Sequence, residues 1–337
     1  MKNLIVGQSG GPTAVINSSL YGVIREGFNR SEEIEHVYGM INGIQGFLDG
    51  RFMDMKELDN DTLEALRTTP GAYLGSCRFK LPDDLNDAIY PLLFQKFEEM
   101  NIGYFFYIGG NDSMDTVSKL SRYAAAHNID VRIMGIPKTI DNDLILTDHT
   151  PGFGSAAKYV AASVCEIGLD ASVYNTKSVT IIEIMGRHAG YLALYVGVAV
   201  GATAVLVPEH PYDFKVQVAD NIRHARLNGK TNFMIVVAEG AASAVEVGRQ
   251  IQEELALDPR VTILGHIQRG GSPSAKDRVM ATRMGYEAVR VLAEGKTNRV
   301  ICAKDDQIID LNIDEGLAMK KTLNSEEFKV MTVMTGM

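Results

Sequence analysis

The chain reads as an α/β protein built on mostly parallel sheet, and three observations predict this. Short runs of β-branched, aromatic and aliphatic residues recur along it: NLIV at 3–6, YFFYI at 104–108, VRIMGI at 131–136, SVTIIEI at 178–184, TAVLV at 203–207, NFMIVV at 232–237 and VTIL at 261–264. Between most of them lie segments with helical apolar spacing, such as AVINSSLYGVIREGF, LNDAIYPLLFQKFEEM, SMDTVSKLSRYAAAHN and GRQIQEELAL. Strands alternating with helices imply βαβ units and parallel pairing. The length of 337 residues exceeds what one hydrophobic core usually serves, so two domains are expected. No linker, repeat or charged tail marks the division.

Parallel sheets place ligands beyond the carboxyl ends of their strands, so the loops that follow the strands are where chemistry is expected. The first, Gly7-Gln8-Ser9-Gly10-Gly11-Pro12-Thr13, joins a strand to a helix. Its glycines let a phosphate approach the backbone, and the helix start offers N–H groups. It also reads as a plain tight turn, since it has neither the GxxxxGK[ST] nor a clean GxGxxG spacing. The second, Gly109-Gly110-Asn111-Asp112-Ser113, repeats that geometry with polar side chains, although Asp112 is equally a helix cap. The third, Pro137-Lys138-Thr139-Ile140-Asp141-Asn142-Asp143, combines a cation, a hydroxyl and two carboxylates. One carboxylate can take a proton from a sugar hydroxyl while the other orients a group or supports Mg²⁺. The same residues are good turn formers. Met185-Gly186-Arg187-His188 ends the run SVTIIEI, and Gly265-His266-Ile267-Gln268-Arg269-Gly270-Gly271 follows VTIL. His266 reads as a hydrogen-bond donor in preference to a general base.

Net charge is −9, which disfavours nucleic acid and anionic membrane as partners. Within that acidic background Arg78, Lys138, Arg187, Arg260, His266 and Arg269 gather on or near loops after strands. This inventory suits a phosphorylated small molecule and phosphoryl transfer, which mostly needs positioning and charge neutralisation. The three cysteines, Cys77, Cys165 and Cys302, are odd in number and widely spaced, as for reduced thiols in a cytoplasmic protein. The apolar stretch of MKNLIVGQSGG is too short for a signal peptide. Residues 189–208, AGYLALYVGVAVGATAVLVP, carry no charge and are read as a buried helix, a stop at Gly201 and a core strand, in preference to a membrane span.

Together PKTIDNDL, LGSCRF, EIMGRHAG and LGHIQRGGSP, in this order over nearly the whole chain, resemble the phosphofructokinase family. The resemblance implies two three-layer α/β/α domains with the active site in the cleft between them. The larger, donor-binding domain would take 1–153 plus 268–320, and the smaller, sugar-phosphate-binding domain 154–267 plus 321–337. It implies Asp141 as the base for the 1-hydroxyl of fructose 6-phosphate, with Asp143 at the same sugar end and Thr139 on the transferring phosphoryl group. Arg187 would neutralise charge in transfer. Gly10, Gly11, Arg78, Gly110, Asp112, Ser113 and Lys138 would hold the donor. Met185, Gly186, Glu239, His266 and Arg269 would hold the sugar phosphate, and Arg260 would reach the 6-phosphate of a neighbouring subunit in a homodimer or homotetramer. The reaction would be a reversible step of glycolysis and gluconeogenesis.

Asp112 and Lys138 resemble the pyrophosphate-dependent branch, because ATP-using relatives carry glycine at the first position and usually at the second. Pro12 agrees, since many ATP-using enzymes have Asp there. A carboxylate at 112 would face the α-phosphate of a nucleotide; a buried like-charge contact costs several kcal/mol, enough to shift donor preference by orders of magnitude. Pyrophosphate escapes that contact and gains Lys138. Mg²⁺ is the expected cofactor, with Asn111 standing where the family usually has a supporting Asp and with Asp112 beside it. Ser178 replaces a frequent Arg, with Lys177 next to it, and Tyr21 and Asp170 fall at effector-binding arginines, so regulation by ADP or phosphoenolpyruvate is expected to be weak or absent. The alternatives are an ATP-dependent phosphofructokinase, a pyrophosphate-dependent sedoheptulose 7-phosphate kinase, and an inactive sugar-phosphate-binding regulatory subunit.

Overall fold

A computed structural model describes residues 1–144, 147–173, 178–319, 321–323 and 325–335. Its strands, in chain order, are β1 (Lys2–Gln8), β2 (Ile34–Met40), β3 (Phe52–Asp54), β4 (Ile102–Gly109), β5 (Arg132–Pro137), β6 (Ser178–Ile184), β7 (Ala204–Leu206), β8 (Asn232–Ala238), β9 (Pro259–Ile263), β10 (Arg299–Lys304) and β11 (Gln307–Asn312). All seven apolar runs of the sequence fall on strands. The β2, β3, β10 and β11 segments were not among them: Glu35 and His36 interrupt the apolar pattern of β2, and β11 is only half-buried.

The chain divides into two units. The first comprises Met1–Thr139, Leu144–Gly154 and Ser272–Lys321, the second Ile140–Asp143, Ser155–Gly271 and Thr322–Met337. Residues 140–143 and 268–271 therefore group with the second unit, where the expected boundaries had put them in the first. Gln268 is drawn there by the Met185 N–H, which donates to its Oε1 at 3.2 Å. Gly154 and Lys321 group with the first unit, and the Lys321 Nζ donates to the Thr147 carbonyl at 3.0 Å.

The first unit holds a seven-stranded sheet in the order β11-β10-β5-β4-β1-β2-β3, parallel from β10 to β2 with an antiparallel strand at each edge. The pleat sends successive side chains to opposite faces. Leu4, Val6, Phe106, Ile108, Met134 and Ile136 join one apolar layer with helices Ile16–Asn29 and Ala275–Ala293. Ile5, Phe105, Tyr107 and Ile133 join the other with helices Ile89–Glu99 and Asn111–Ala126. Burial on both faces is why YFFYI is apolar throughout instead of alternating.

In the second unit the sheet order is β7-β8-β6-β9, all parallel. Val179, Ile181, Ile235 and Val237 pack against helices Asp220–Leu227 and Ala244–Leu255. The uncharged stretch 189–208 forms helix Tyr191–Val200, ends at Gly201 with φ +64°, and returns as β7, as the sequence predicts. Among the described residues no helix is long and apolar enough to cross a membrane.

Two glycines allow the returning segment 272–321 to close onto the first unit. Helices Ile16–Asn29 and Ala275–Ala293 cross at Gly22 and Gly285; a methyl on Gly22 would overlap the Thr282 carbonyl, and one on Gly285 the Ser19 carbonyl. Backbone, unlike a long side chain, has little freedom to yield. Gly285→Val is expected to destabilise the protein by about 1–3 kcal/mol or more, measured by urea unfolding; an unchanged midpoint would mean that the crossing relaxes without strain.

Candidate active site

In the first sheet the chain passes from β1 to β2 on one side, while β4 lies on the other. The topological switch point thus falls between β1 and β4, the position at which open α/β sheets bind ligands. The two glycine loops leave from the carboxyl ends of these strands. Gly10 has φ +75° and donates its N–H to the Cys77 carbonyl at 3.2 Å, and the Ser76 hydroxyl donates to the Gly10 carbonyl at 2.6 Å. The turn therefore holds segment 76–78, which ends in the exposed Arg78.

Lys138 continues β5 and is 2% exposed. Its backbone N–H donates to the Gly109 carbonyl at 2.8 Å, and its ammonium donates to the Gly11 carbonyl at 2.6 Å. A Cβ on Gly10 would stand 3.4 Å from that ammonium. The loops after β1, β4 and β5 are thereby joined through one lysine. Thr139 lies beside Gly110 and pairs with Gly152.

Gly110 caps helix Asn111–Ala126 in extended conformation, which puts Asn111 and Asp112 in its first turn, where the helix dipole favours negative charge. Both are exposed, whereas Ser113 is buried against Gly109. The Asp112 carboxylate is 54% exposed and pairs with the Lys80 ammonium at 2.8 Å. This corrects the buried like-charge contact drawn from the sequence. In water-like surroundings the repulsion between Asp112 and a phosphate 4 Å away is about 1 kcal/mol, and at intermediate dielectric about 4 kcal/mol. A phosphate at that distance would be disfavoured roughly five- to a thousandfold.

Among the described residues no group of three or more His, Cys, Asp or Glu side chains is placed to hold a metal ion. Asn111 and Asp112 offer one amide and one carboxylate oxygen. That set fits Mg²⁺ as it usually binds at phosphate sites, through one or two protein oxygens, water and the phosphates of the substrate.

In the second sheet β6 lies between β8 and β9, and the loops after these three strands carry the expected sugar-phosphate residues. Arg187 has φ +53°, a left-handed conformation that is uncommon for a long side chain and stores about 1–3 kcal/mol of strain. Its surroundings enforce it. One Glu239 carboxylate oxygen accepts from the Gly186 N–H at 3.2 Å and the Arg187 N–H at 2.9 Å. Gly240 is required because a Cβ there would overlap the Arg187 carbonyl. The Arg187 side chain is exposed, so the strain aims a guanidinium outward.

Gln268 is 1% exposed, and sequence reasoning assigned it no role. Its Oε1 receives the Met185 N–H and its Nε2 donates to the Gly265 carbonyl at 2.9 Å, tying the loop after β6 to the loop after β9. The motif GHIQRGGSP contained the residue, but an uncharged side chain between His266 and Arg269 gives no electrostatic signal. His266 is exposed and Arg269 half-buried on this turn. The Met185 side chain is buried.

Asp141 and Asn142 are buried and Asp143 half-buried; Asn142 takes φ +52°. The turn reading and the site reading of this segment therefore coexist. Tyr191 lies in the same unit, its phenol pushed up to about 12 first by burial and then by Glu209 and Asp143. Arg260 pairs with Asp170 at 2.8 Å, both exposed. The Ser178 hydroxyl bonds to Asn232 at 2.5 Å, and Lys177 lies outside the described residues.

The first unit carries glycine loops at a parallel switch point and the second an arginine in a strained turn, each on a loop that follows a parallel strand, as in ligand-binding proteins of the α/β class. The family model for phosphofructokinase matches residues 3–292. The ATP-dependent 6-phosphofructokinase of Clostridium acetobutylicum is 36% identical over 335 residues, 99% of this chain and 100% of the relative. ATP-dependent 6-phosphofructokinase 1 of Clostridium perfringens is 37% identical over 98% of both chains. Crystal structures titled pyrophosphate-dependent phosphofructokinase superpose with TM-scores of 0.86 for Nitrosospira multiformis, at 31% identity over 96% of this chain and 86% of that one, and 0.87 for Marinobacter aquaeolei, at 32% identity over 99% and 92%. The chain belongs to the phosphofructokinase family.

If Glu239 acts by holding the Arg187 backbone, Glu239→Gln, which keeps an acceptor oxygen, is expected to retain about tenfold more phosphofructokinase activity than Glu239→Ala. Steady-state kcat/KM for the sugar phosphate measures this. Equal losses in the two variants would assign the effect to the carboxylate charge instead.

Proposed function

We propose that this phosphofructokinase transfers a phosphoryl group from pyrophosphate to the 1-hydroxyl of fructose 6-phosphate, giving fructose 1,6-bisphosphate and phosphate. The observation that carries the reading is the buried Lys138 ammonium beneath the Gly10–Gly11 turn, together with Asp112 in the first turn of the neighbouring helix. Lys138 supplies charge to a short anion lying at the glycine turn. Asp112 stands where a longer polyphosphate chain would continue. The pyrophosphate-dependent neighbours of known structure support this reading.

In the reaction the sugar 1-oxygen forms a bond to the terminal phosphorus while the bridging P–O bond breaks. Asp141 takes the hydroxyl proton and Arg187 neutralises the charge of the phosphoryl group in flight. Thr139 holds that group, and Arg78 spans the two donor phosphates. Glu239, Met185 and Gly186 shape the sugar end, while His266 and Arg269 hold the 6-phosphate. Asn111 and Asp112 would hold the Mg²⁺ that comes with pyrophosphate, which supplies charge neutralisation on the phosphates. Pyrophosphate and the sugar bisphosphate have comparable transfer potential, so the reaction runs in either direction.

The ATP-dependent reading also has specific support: the curated relatives at 36% and 37% identity carry that name, and Asp112 is less confined than a buried carboxylate. The decisive assay measures fructose 1,6-bisphosphate formed with each donor by the purified chain with Mg²⁺. A pyrophosphate preference of at least tenfold in kcat/KM is expected; equal or faster use of ATP would overturn the donor assignment, and sedoheptulose 7-phosphate as acceptor tests the sugar assignment. Asp141→Asn is expected to lower kcat by about 10²–10⁴-fold with either donor.

A homodimer or homotetramer in the cytoplasm completes the proposal. β9 is a sheet edge that exposes Val261 and Ile263, a pattern suited to pairing with a second copy, and Arg260 lies on it. Tyr21 donates to Glu64 at 2.9 Å and Asp170 pairs with Arg260 at 2.8 Å, so neither position offers a cation to an anionic effector. Added ADP or phosphoenolpyruvate is therefore expected to leave the rate curve hyperbolic and unshifted.

A further inference from the structure

We infer that Lys80, to which the sequence assigned no role, binds the phosphate donor, and that Asp112 is the group that holds it in place. The inference deepens the donor assignment and rests on it.

The backbone that follows Lys80 is fixed against helix Asn111–Ala126. Leu81 is buried. Its carbonyl accepts from the Lys119 ammonium at 3.0 Å, and the Pro82 carbonyl accepts from the Tyr90 hydroxyl at 2.5 Å. Lys119, with its side chain 6% exposed, also pairs with Asp83 at 2.6 Å and with Asp115 at 2.7 Å. Asp112, Asp115 and Lys119 follow a three-then-four spacing and so share one helix face. Segment 80–83 lies along that face, anchored at its far end by a buried lysine and at its near end by the Lys80–Asp112 pair.

The two ends differ in exposure. The Lys119 side chain is buried beneath its exposed partners Asp83 and Asp115, whereas the Lys80 side chain is 70% exposed at the first turn of the helix. An ammonium has three N–H donors, and Asp112 takes one of them. The others can meet a phosphate oxygen brought to the helix start, and Arg78 lies two residues before Lys80. Besides its place beside Mg²⁺, Asp112 then has two further functions. It opposes a longer polyphosphate, and it presents a second cation to a short one. Simple repulsion by Asp112 predicts that Asp112→Gly leaves pyrophosphate use untouched; the holding role predicts that it weakens it.

The test is a double-mutant cycle on the full-length protein. Lys80→Met, Asp112→Gly, the double variant and Lys80→Arg are compared with the parent for KM of magnesium pyrophosphate, KM of fructose 6-phosphate, kcat and melting temperature. An exposed ion pair contributes little to folding, so melting temperatures are expected to stay together. Lys80→Met is expected to raise the pyrophosphate KM by about tenfold or more while the sugar KM stays unchanged. Lys80→Arg recovers most of that loss. Asp112→Gly raises the same KM, and the double variant is no worse than Lys80→Met alone. An unchanged pyrophosphate KM in Lys80→Met, or losses that simply multiply in the double variant, would overturn the inference. The parent's donor comparison decides the underlying reading separately: should the parent use ATP, the Lys80 inference is decided by the same KM ratio measured with ATP.

Discussion

A buried ammonium beneath a glycine turn is the interaction on which the order of the first unit's loops depends. Burying a charge is costly unless polar groups receive it, and Lys138 gives its ammonium to the Gly11 carbonyl at 2.6 Å. The contact ties the loop after β5 to the loop after β1, while the Lys138 backbone bonds to Gly109 at the end of β4. Three loops from adjacent strands are thus set by one residue. Gly10 is needed for its positive φ, while a Cβ there would meet that ammonium only at an ordinary contact distance of 3.4 Å.

The second unit orders its loops by a different means. There a long polar residue, Arg187, is held in a left-handed conformation by Glu239 and by the space at Gly240. Strain of this kind persists only where neighbouring groups over-determine it, and its presence at an exposed arginine points to function. Gln268 adds a neutral tie between the loops after β6 and β9. The first unit therefore gains its order from glycine permissiveness and a buried cation, the second from hydrogen bonds that enforce an unfavourable backbone.

The central strands and the site loops were legible because their signals are local. YFFYI and SVTIIEI are apolar on both faces, and the glycine and charged motifs follow them directly. Edge strands such as β3 and β11 bury less and leave a weaker pattern. The placement of 268–271 rests on the hydrogen bond from Met185 to Gln268, residues distant in sequence, which periodicity does not encode. Lys80 and Lys119 were illegible for the same reason: their partners Asp112 and Asp83 lie more than thirty residues away in sequence. The exposure of Asp112 was also a tertiary property, and it changed the size of the electrostatic argument without changing its sign.

The curated relatives are named for ATP and the structural neighbours for pyrophosphate, and the proposed donor assignment rests on the few residues around Lys138 and Asp112. The most direct measurement is calorimetric binding of magnesium pyrophosphate and of magnesium ATP to the purified protein without sugar phosphate. The account predicts that pyrophosphate binds at least about tenfold more tightly, since it meets Lys138 and avoids Asp112. ATP binding as tightly as pyrophosphate or more so would contradict it.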